Sequence, residues 1–109
     1  MNHLRDSKRL EKQDILTFLK AHQARLHELG VQRVGLFGSF AREEQNDESD
    51  IDLLVEFDPA QKNFDNFMSL SFFLEDMLGH RIEIVTPEAF SPYMRPHILK
   101  EIEYVPLAA

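Results

Sequence analysis

The fold of this chain is decided by residues 31–57, VQRVGLFGSFAREEQNDESDIDLLVEF. Residues 31–37 are rich in β-branched and large apolar side chains, which predicts a strand. The Gly-Ser pair that follows breaks this strand and leads into one short helical turn, predicted over about residues 40–44, and a polar loop. Residues 50–57 then alternate between apolar and mostly acidic positions, as expected of a strand with one buried face. Two strands joined by a turn and a loop therefore form the centre of the predicted fold.

Helical and extended patterns alternate on both sides of this centre. Residues 7–29 carry apolar side chains at steps of three and four, which predicts one helix that ends at Gly30. The later predicted elements are a helix over 64–78, a strand over 81–85, short helices near Thr86-Pro87 and Ser91-Pro92, and an extended piece at 104–106. Interleaved elements of this kind predict an α/β (α+β) protein with a small mixed β-sheet and flanking helices. We expect one domain over 1–109, with its core at about 10–105.

Composition narrows the class of protein. The chain has 109 residues, of which 43% are hydrophobic, and this is enough for one core but too little for two. Without cysteine there can be no disulfide framework and no cysteine zinc site. No apolar run approaches the length of a membrane helix, and the N-terminus lacks the pattern of a signal peptide. We therefore expect a cytoplasmic protein with no membrane partner.

The acidic charge is concentrated in one segment. The chain carries 12 Lys and Arg against 19 Asp and Glu, which gives a net charge of −7. Residues 31–58 hold two basic and eight acidic side chains, a net −6. Such a segment either repels itself at the surface or binds something positive, and we expect no direct binding of nucleic acid, which needs clustered Lys and Arg.

A pair of carboxylates lies on the polar face of the second central strand. Asp50 and Asp52 are two residues apart, so their side chains point the same way with Cα atoms about 6.5–7 Å apart. Mg²⁺ is a hard cation that binds one or two carboxylates together with phosphate oxygens. Two solvated acids at the end of a strand would have the same pattern. Gly38 and Ser39 favour the metal site, because a Gly-Ser turn entering a helix can bind an anion through its backbone N–H groups and hydroxyl.

Two further residues are candidates for the same site. Glu83 lies between two apolar residues of the predicted third strand, so a neighbouring position in the sheet would bring a third carboxylate to the pair. The alternative is an exposed Glu on an edge strand. Arg42 is one of the two basic residues of the acidic segment and could bind a triphosphate as a planar donor. It could equally pair with nearby acids, namely Glu43, Glu44 or Asp47.

The combined motif resembles a known family. GSFAR at 38–42 followed by SDIDLLV at 49–55 is similar to the signature of the nucleotidyltransferase superfamily with the DNA polymerase β fold. The small size and RIEIVTPEA at 81–89 resemble its minimal nucleotidyltransferase branch, typically the MntA-type antitoxin of a toxin–antitoxin pair whose toxin has a HEPN fold. The resemblance covers about residues 10–105 and implies a polymerase β-like fold.

The resemblance also implies an activity and residue roles. Members of the family transfer AMP from ATP to a hydroxyl with two Mg²⁺ ions, and in the antitoxin branch the acceptor is a tyrosine of the HEPN toxin, which is thereby neutralised. Asp50 and Asp52 match the metal-binding pair, and Gly38 and Ser39 match the triphosphate-binding turn. Glu83 stands where the family commonly has Asp, as the third carboxylate that deprotonates the acceptor or holds the catalytic metal.

The chain departs from the family pattern at two positions. Glu43 stands where a Gly is usual, which puts an acid near the incoming triphosphate, and Glu83 is one methylene longer than the usual Asp. Two other functions therefore stay open. One is a non-catalytic binding module that neutralises the toxin by complex formation. The other is a nucleotidyltransferase that acts on a small molecule or RNA.

Overall fold

A computed structural model describes residues 9–107 of the chain. Its helices and strands are, in chain order, α1 (Lys12–Ala21), α2 (Gln23–Glu28), β1 (Val31–Phe37), α3 (Ser39–Arg42), β2 (Ile51–Phe57), α4 (Phe64–Leu78), β3 (Ile82–Val85), α5 (Met94–Glu101) and β4 (Glu103–Val105). Short 3₁₀ turns at Pro59–Gln61 and Pro87–Ala89 follow β2 and β3. None of the helices in the described part of the chain is long and apolar enough to cross a membrane.

The four strands form one mixed sheet in the order β3-β2-β1-β4. β1 is antiparallel to both β2 and β4, and β2 is parallel to β3. The register places Asp52 opposite Phe37 on one side and Glu83 on the other. The prediction of a small mixed sheet with flanking helices is therefore confirmed, and the start of β2 lies between the end of β1 and the start of β3.

Helices α1, α2 and α4 cover one face of the sheet. Ile15 and Leu19 of α1 and Leu70 and Leu74 of α4 are fully buried in the main core. The apolar face predicted for β2 is part of the same core, with Ile51, Leu53, Val55 and Phe57 all buried. Because these side chains alternate with Asp52 and Glu56, burial of this face directs the acidic positions of β2 to the other side of the sheet.

Helix α5 packs on that other side. Its Ile98 forms a small second core with Phe37 of β1 and Leu54 of β2. Gly35 allows this packing, because a Cβ at that position would lie only 2.7 Å from Cδ1 of Ile102, the residue that follows the helix. The C-terminal end of α5 is thereby held close to the turn between β1 and α3.

The first predicted helix is wrong in two respects: residues 9–11 are not helical, so that α1 begins at Lys12, and the structure divides the helix at His22. There α1 ends and α2 begins, and His22 has φ −114° and ψ 31°, outside the helical region. Its Nδ1 lies 2.8 Å from the Phe18 carbonyl oxygen, the acceptor that its own backbone N–H also uses. A side chain that competes for that carbonyl favours a break. Residues 7 and 8 of the prediction lie outside the described residues.

Smaller differences concern the ends of elements. The short helix predicted at 40–44 is α3, which begins one residue earlier and stops at Arg42, because Glu43 has a left-handed backbone with φ 60°. The helix predicted from Ser91-Pro92 starts at Met94, whose N–H donates to the Ser91 side chain and carbonyl. The helix over 64–78 and the strand over 31–37 are confirmed with their predicted bounds.

Candidate active site

The Gly-Ser turn and the Asp-x-Asp strand meet at the end of β1. Gly38 follows the last residue of β1 and has φ +81°, a conformation that L side chains rarely adopt. A Cβ on Gly38 would lie 2.1 Å from Asp52 Oδ2, so only glycine fits against this carboxylate. Ser39 is half-buried and begins α3. The two halves of the motif, separated by a polar loop in the chain, are therefore in direct contact in the fold.

Asp52 is the electrostatic centre of the site. Burial, and then the negative charges of Glu83 and Asp50, raise the pKa of its carboxyl from 3.8 to about 6. Arg42 lowers this pKa and Glu101 raises it further. Glu83 is the residue opposite Asp52 on the parallel strand β3, and it is exposed. A carboxylate with so many negative neighbours is stabilised by any cation that enters the site.

Asp50 immediately precedes β2 and faces a different neighbour. Its Oδ1 lies 2.8 Å from Arg81 Nε as an ion pair, yet this oxygen is shielded from solvent and accepts no hydrogen bond. The loop that leads to Asp50 is fastened to the start of β3, because the Ser49 carbonyl lies 2.6 Å from His80 Nε2 and the Glu48 carbonyl accepts from Arg81 Nη2 at 2.9 Å. His80 and Arg81 are positioning residues for Asp50 that the sequence pattern did not single out.

The predicted metal ligands fit Mg²⁺ in their chemistry. Carboxylate oxygens are the donors this ion prefers, Asp50 Oδ1 lacks a hydrogen bond, and the raised pKa of Asp52 indicates a shortage of positive charge. In residues 9–107 no group of three or more His, Asp or Glu side chains is arranged to hold a metal as it stands. Asp52 and Glu83 are brought side by side, whereas Asp50 Oδ1 is paired with Arg81, whose side chain is exposed.

Arg42 is paired with acids, as one of its two predicted interpretations requires. Its Nε donates to Glu44 Oε1 at 3.0 Å, and its Nη1 donates to Glu101 Oε1 at 3.0 Å and Oε2 at 3.2 Å. Hydrogen bonds to these two carboxylates raise its pKa. Asp47, another candidate partner, is paired with Arg9 instead. The guanidinium nevertheless lies beside the Gly38 turn, because the Gly38 N–H and Arg42 Nη1 donate to the same Glu101 carboxylate. A phosphate bound at this turn would be within its reach.

Glu101 is the residue of the site that sequence reasoning missed. Its Oε2 accepts a hydrogen bond of 2.7 Å from the Gly38 backbone N–H, although 63 positions separate the two residues in the chain. The side chain is only 22% exposed. Nothing in the segment KEIEY at 100–104 marks this glutamate over its neighbour Glu103, because its place depends on how α5 packs on the sheet.

Comparison with known proteins agrees with this geometry. The model of the nucleotidyltransferase domain family matches residues 14–105. The chain is 34% identical over 97 residues to the protein adenylyltransferase MntA of Thermococcus cleftensis, covering 88% of this chain and 97% of that protein.

Solved structures show the same fold. A structure described as a minimal nucleotidyltransferase is 30% identical, with a TM-score of 0.75 over 89% of this chain and 98% of that one. A toxin–antitoxin crystal structure with AMP-PNP is 20% identical, with a TM-score of 0.56 over 79% of this chain and 73% of that one. The family match, the fold and the contact between the Gly-Ser turn and the Asp-x-Asp strand place this chain in the nucleotidyltransferase family, and it is a nucleotidyltransferase.

Proposed function

We propose that the protein is an antitoxin that uses ATP and Mg²⁺ to transfer AMP to a tyrosine hydroxyl of a cognate HEPN-type toxin in the cytoplasm. The proposal is supported by the name of a relative, protein adenylyltransferase MntA, and by the fold shared with a toxin–antitoxin complex that contains AMP-PNP. The single observation that carries it is the Gly38 turn held against Asp52 Oδ2, where an added Cβ would lie at 2.1 Å. Such a turn brings backbone donors for phosphate next to carboxylates for a cation.

The reaction is an attack of the tyrosine oxygen on the α-phosphorus of ATP. A new P–O bond forms to the tyrosine, the bond to the β-phosphate breaks, and pyrophosphate leaves. Glu83 would accept the hydroxyl proton from an incoming partner, and its exposure and its position opposite Asp52 support this role. Gly38, Ser39 and Arg42 would hold the phosphate groups, and most of the rate enhancement would come from positioning and charge neutralisation.

Asp50, Asp52 and Glu83 are the residues that would hold Mg²⁺. The ion would neutralise charge on the triphosphate and on the attacking oxygen. Four other acids of the segment are exposed, namely Glu43, Glu44, Asp47 and Glu48. Arg81 pairs with Asp50 Oδ1, so an ion held through that oxygen would compete with Arg81.

The experiment is a transfer assay with labelled ATP, Mg²⁺ and the product of the neighbouring gene, which the proposal expects to be a HEPN toxin. We expect label on the toxin, located on tyrosine by mass spectrometry. Asp50→Asn together with Asp52→Asn should abolish it, because the amides cannot carry the charge that holds the ion. Asp47→Asn is the matched control, since Asp47 is 77% exposed and paired with Arg9.

The outcomes separate the alternatives. The Asp50→Asn/Asp52→Asn protein could neutralise the toxin as efficiently as the wild type does, with no label transferred. That result would contradict the catalytic antitoxin and support a non-catalytic binding module. Label on RNA or on a small molecule, with none on the toxin, would support nucleotidyl transfer but would contradict a protein as the acceptor.

A further inference from the structure

The donors of the Gly38 turn are already engaged by an acid of the same chain. Glu101 Oε2 accepts from Gly38 N–H at 2.7 Å, and both Glu101 oxygens accept from Arg42 Nη1 at 3.0 and 3.2 Å. We call this pair of donors, the Gly38 N–H and the Arg42 guanidinium, the anion site. A backbone N–H in a glycine turn beside a guanidinium suits a phosphate oxygen as well as it suits a carboxylate.

The contact is set by the packing of α5 and not by a loose surface side chain. Ile98, one turn before Glu101, is buried against Phe37 and Leu54, and Ile102 N–H donates to the Ile98 carbonyl at 2.9 Å. These contacts fix the end of the helix directly over the turn. The Glu101 carboxylate is therefore delivered to the anion site by the fold itself.

Glu101 increases the negative charge of a site that is already acidic. It lies close enough to Asp52 to disfavour the charged form of that carboxylate, as do Glu83 and Asp50. Among residues 9–107, the donors that contact Glu101 are Arg42 and the Gly38 N–H, and Arg42 is shared with Glu44. The Gly38 N–H and Arg42 would therefore bind a more highly charged anion, such as a phosphate group, more strongly than they bind the Glu101 carboxylate.

We propose that Glu101 is an internal competitor of the nucleotide: its carboxylate fills the anion site of the free protein and leaves when a triphosphate binds there. The proposal rests on the proposed function only in taking Gly38 and Arg42 as triphosphate-binding residues. The apparent affinity for nucleotide then falls by the fraction of molecules in which the site is free. If roughly nine molecules in ten hold the contact, binding is about tenfold weaker than the open site allows.

Two variants of Glu101 separate occupancy from charge. Glu101→Gln removes the charge and weakens both contacts. Glu101→Asp keeps the charge but shortens the side chain by one bond, about 1.5 Å, which is too far for hydrogen bonds that are now 2.7–3.2 Å long. Glu103→Gln is the matched control, because Glu103 is two residues away and pairs with Lys12, so the same charge is removed away from the anion site. Circular dichroism checks that each variant is folded.

The measurement is binding by calorimetry of two probes with Mg²⁺: α,β-methylene ATP, which cannot transfer AMP, and inorganic tripolyphosphate, which lacks the nucleoside. We expect Glu101→Gln to bind both probes about tenfold more tightly than the wild type. Glu101→Asp should also bind more tightly, and Glu103→Gln should stay within about twofold, since Glu103 is paired with Lys12 and not with the donors of the anion site.

Each other result decides the question. Equal or weaker binding by either Glu101→Gln or Glu101→Asp, or an equal gain in Glu103→Gln, would overturn the proposal that Glu101 competes with the nucleotide and would leave the proposed function intact. Tighter binding of tripolyphosphate by Glu101→Gln, with no binding of the ATP analogue to any variant, would uphold the competitor and overturn the nucleotide function. Absence of binding of both probes by every variant would overturn both.

Discussion

Replacing Asp52 by Asn should stabilise the protein in the absence of metal. Asp52 lies beside Glu83 and Asp50, and burial together with these charges raises its pKa from 3.8 to about 6. The folded protein therefore binds this proton more tightly than the unfolded chain does. Above pH 6 the carboxylate is ionised in both states, and its charge destabilises the fold. As the pH falls from 6 towards 4, the folded protein takes up the proton first, and this destabilisation disappears.

The size of the effect follows from the same pKa. A tenfold difference in proton affinity is worth about 1.4 kcal/mol, so the rise from 3.8 to about 6 sets an upper limit of roughly 3 kcal/mol. Asp52 is only half-buried, and solvent screening reduces this to about 1 kcal/mol. For a chain of 109 residues, a gain of about 1 kcal/mol raises Tm by about 4–8 °C.

The assay is thermal unfolding followed by circular dichroism with a chelator present, at pH 8 and at pH 4. Asp52→Asn should melt higher than the wild type at pH 8 and at the same temperature as the wild type at pH 4. Asp47→Asn, exposed and paired with Arg9, should change Tm little at either pH. A wild-type protein as stable as Asp52→Asn at pH 8 would refute the placement of Asp52 among uncompensated charges. Added Mg²⁺ should raise Tm of the wild type more than that of the variant.

Three other predictions follow from the geometry. Gly38→Ala should lower the free energy of unfolding by at least about 1 kcal/mol in urea titrations and abolish transfer, because its Cβ would meet Asp52 Oδ2 at 2.1 Å with φ at +81°; unchanged stability would contradict this close approach. Glu83→Gln should reduce the transfer rate at least about 100-fold whereas Glu83→Asp retains activity, since only a carboxylate can take the proton or hold the ion; equal rates for the two variants would remove Glu83 from the chemistry. Leu70→Ala should cost about 2–5 kcal/mol in urea titrations, as Leu70 is fully buried, whereas Leu99→Ala, 51% exposed, should cost less than about 0.5 kcal/mol; similar losses would mean that the core is not where the structure has it.

Much of the fold follows from local patterns. The strand at 31–37 and the helix at 64–78 are predicted with the bounds that the structure has, because β-branched runs and helical spacing are properties of short segments. The break at His22 was not predicted. It depends on a side chain that hydrogen-bonds to the Phe18 carbonyl, and the apolar spacing continues through it without interruption.

The candidate site divides in the same way. Gly38 and Asp52 come from one motif, and their contact in the fold follows from the antiparallel pairing of the two strands that carry them. Glu83 was expected beside them only if β3 were a neighbour of β2, and the parallel pairing of these strands meets that condition. The sequence leaves two interpretations of Arg42 open, because the partners of a side chain depend on which residues the fold brings near it.

The sequence by itself determined the strand–turn–strand centre of the protein and the identity of its acidic residues. The Gly-Ser pair predicts the turn, and alternation along β2 directs Ile51 into the core and Asp52 out of it, because both patterns lie within a few residues of chain. Only the tertiary structure decided that the Glu101 carboxylate accepts hydrogen bonds from the Gly38 N–H and from Arg42, which also donates to Glu44. That contact spans 63 positions and exists because Ile98 packs on the far face of the sheet, where no periodicity in the sequence could place it.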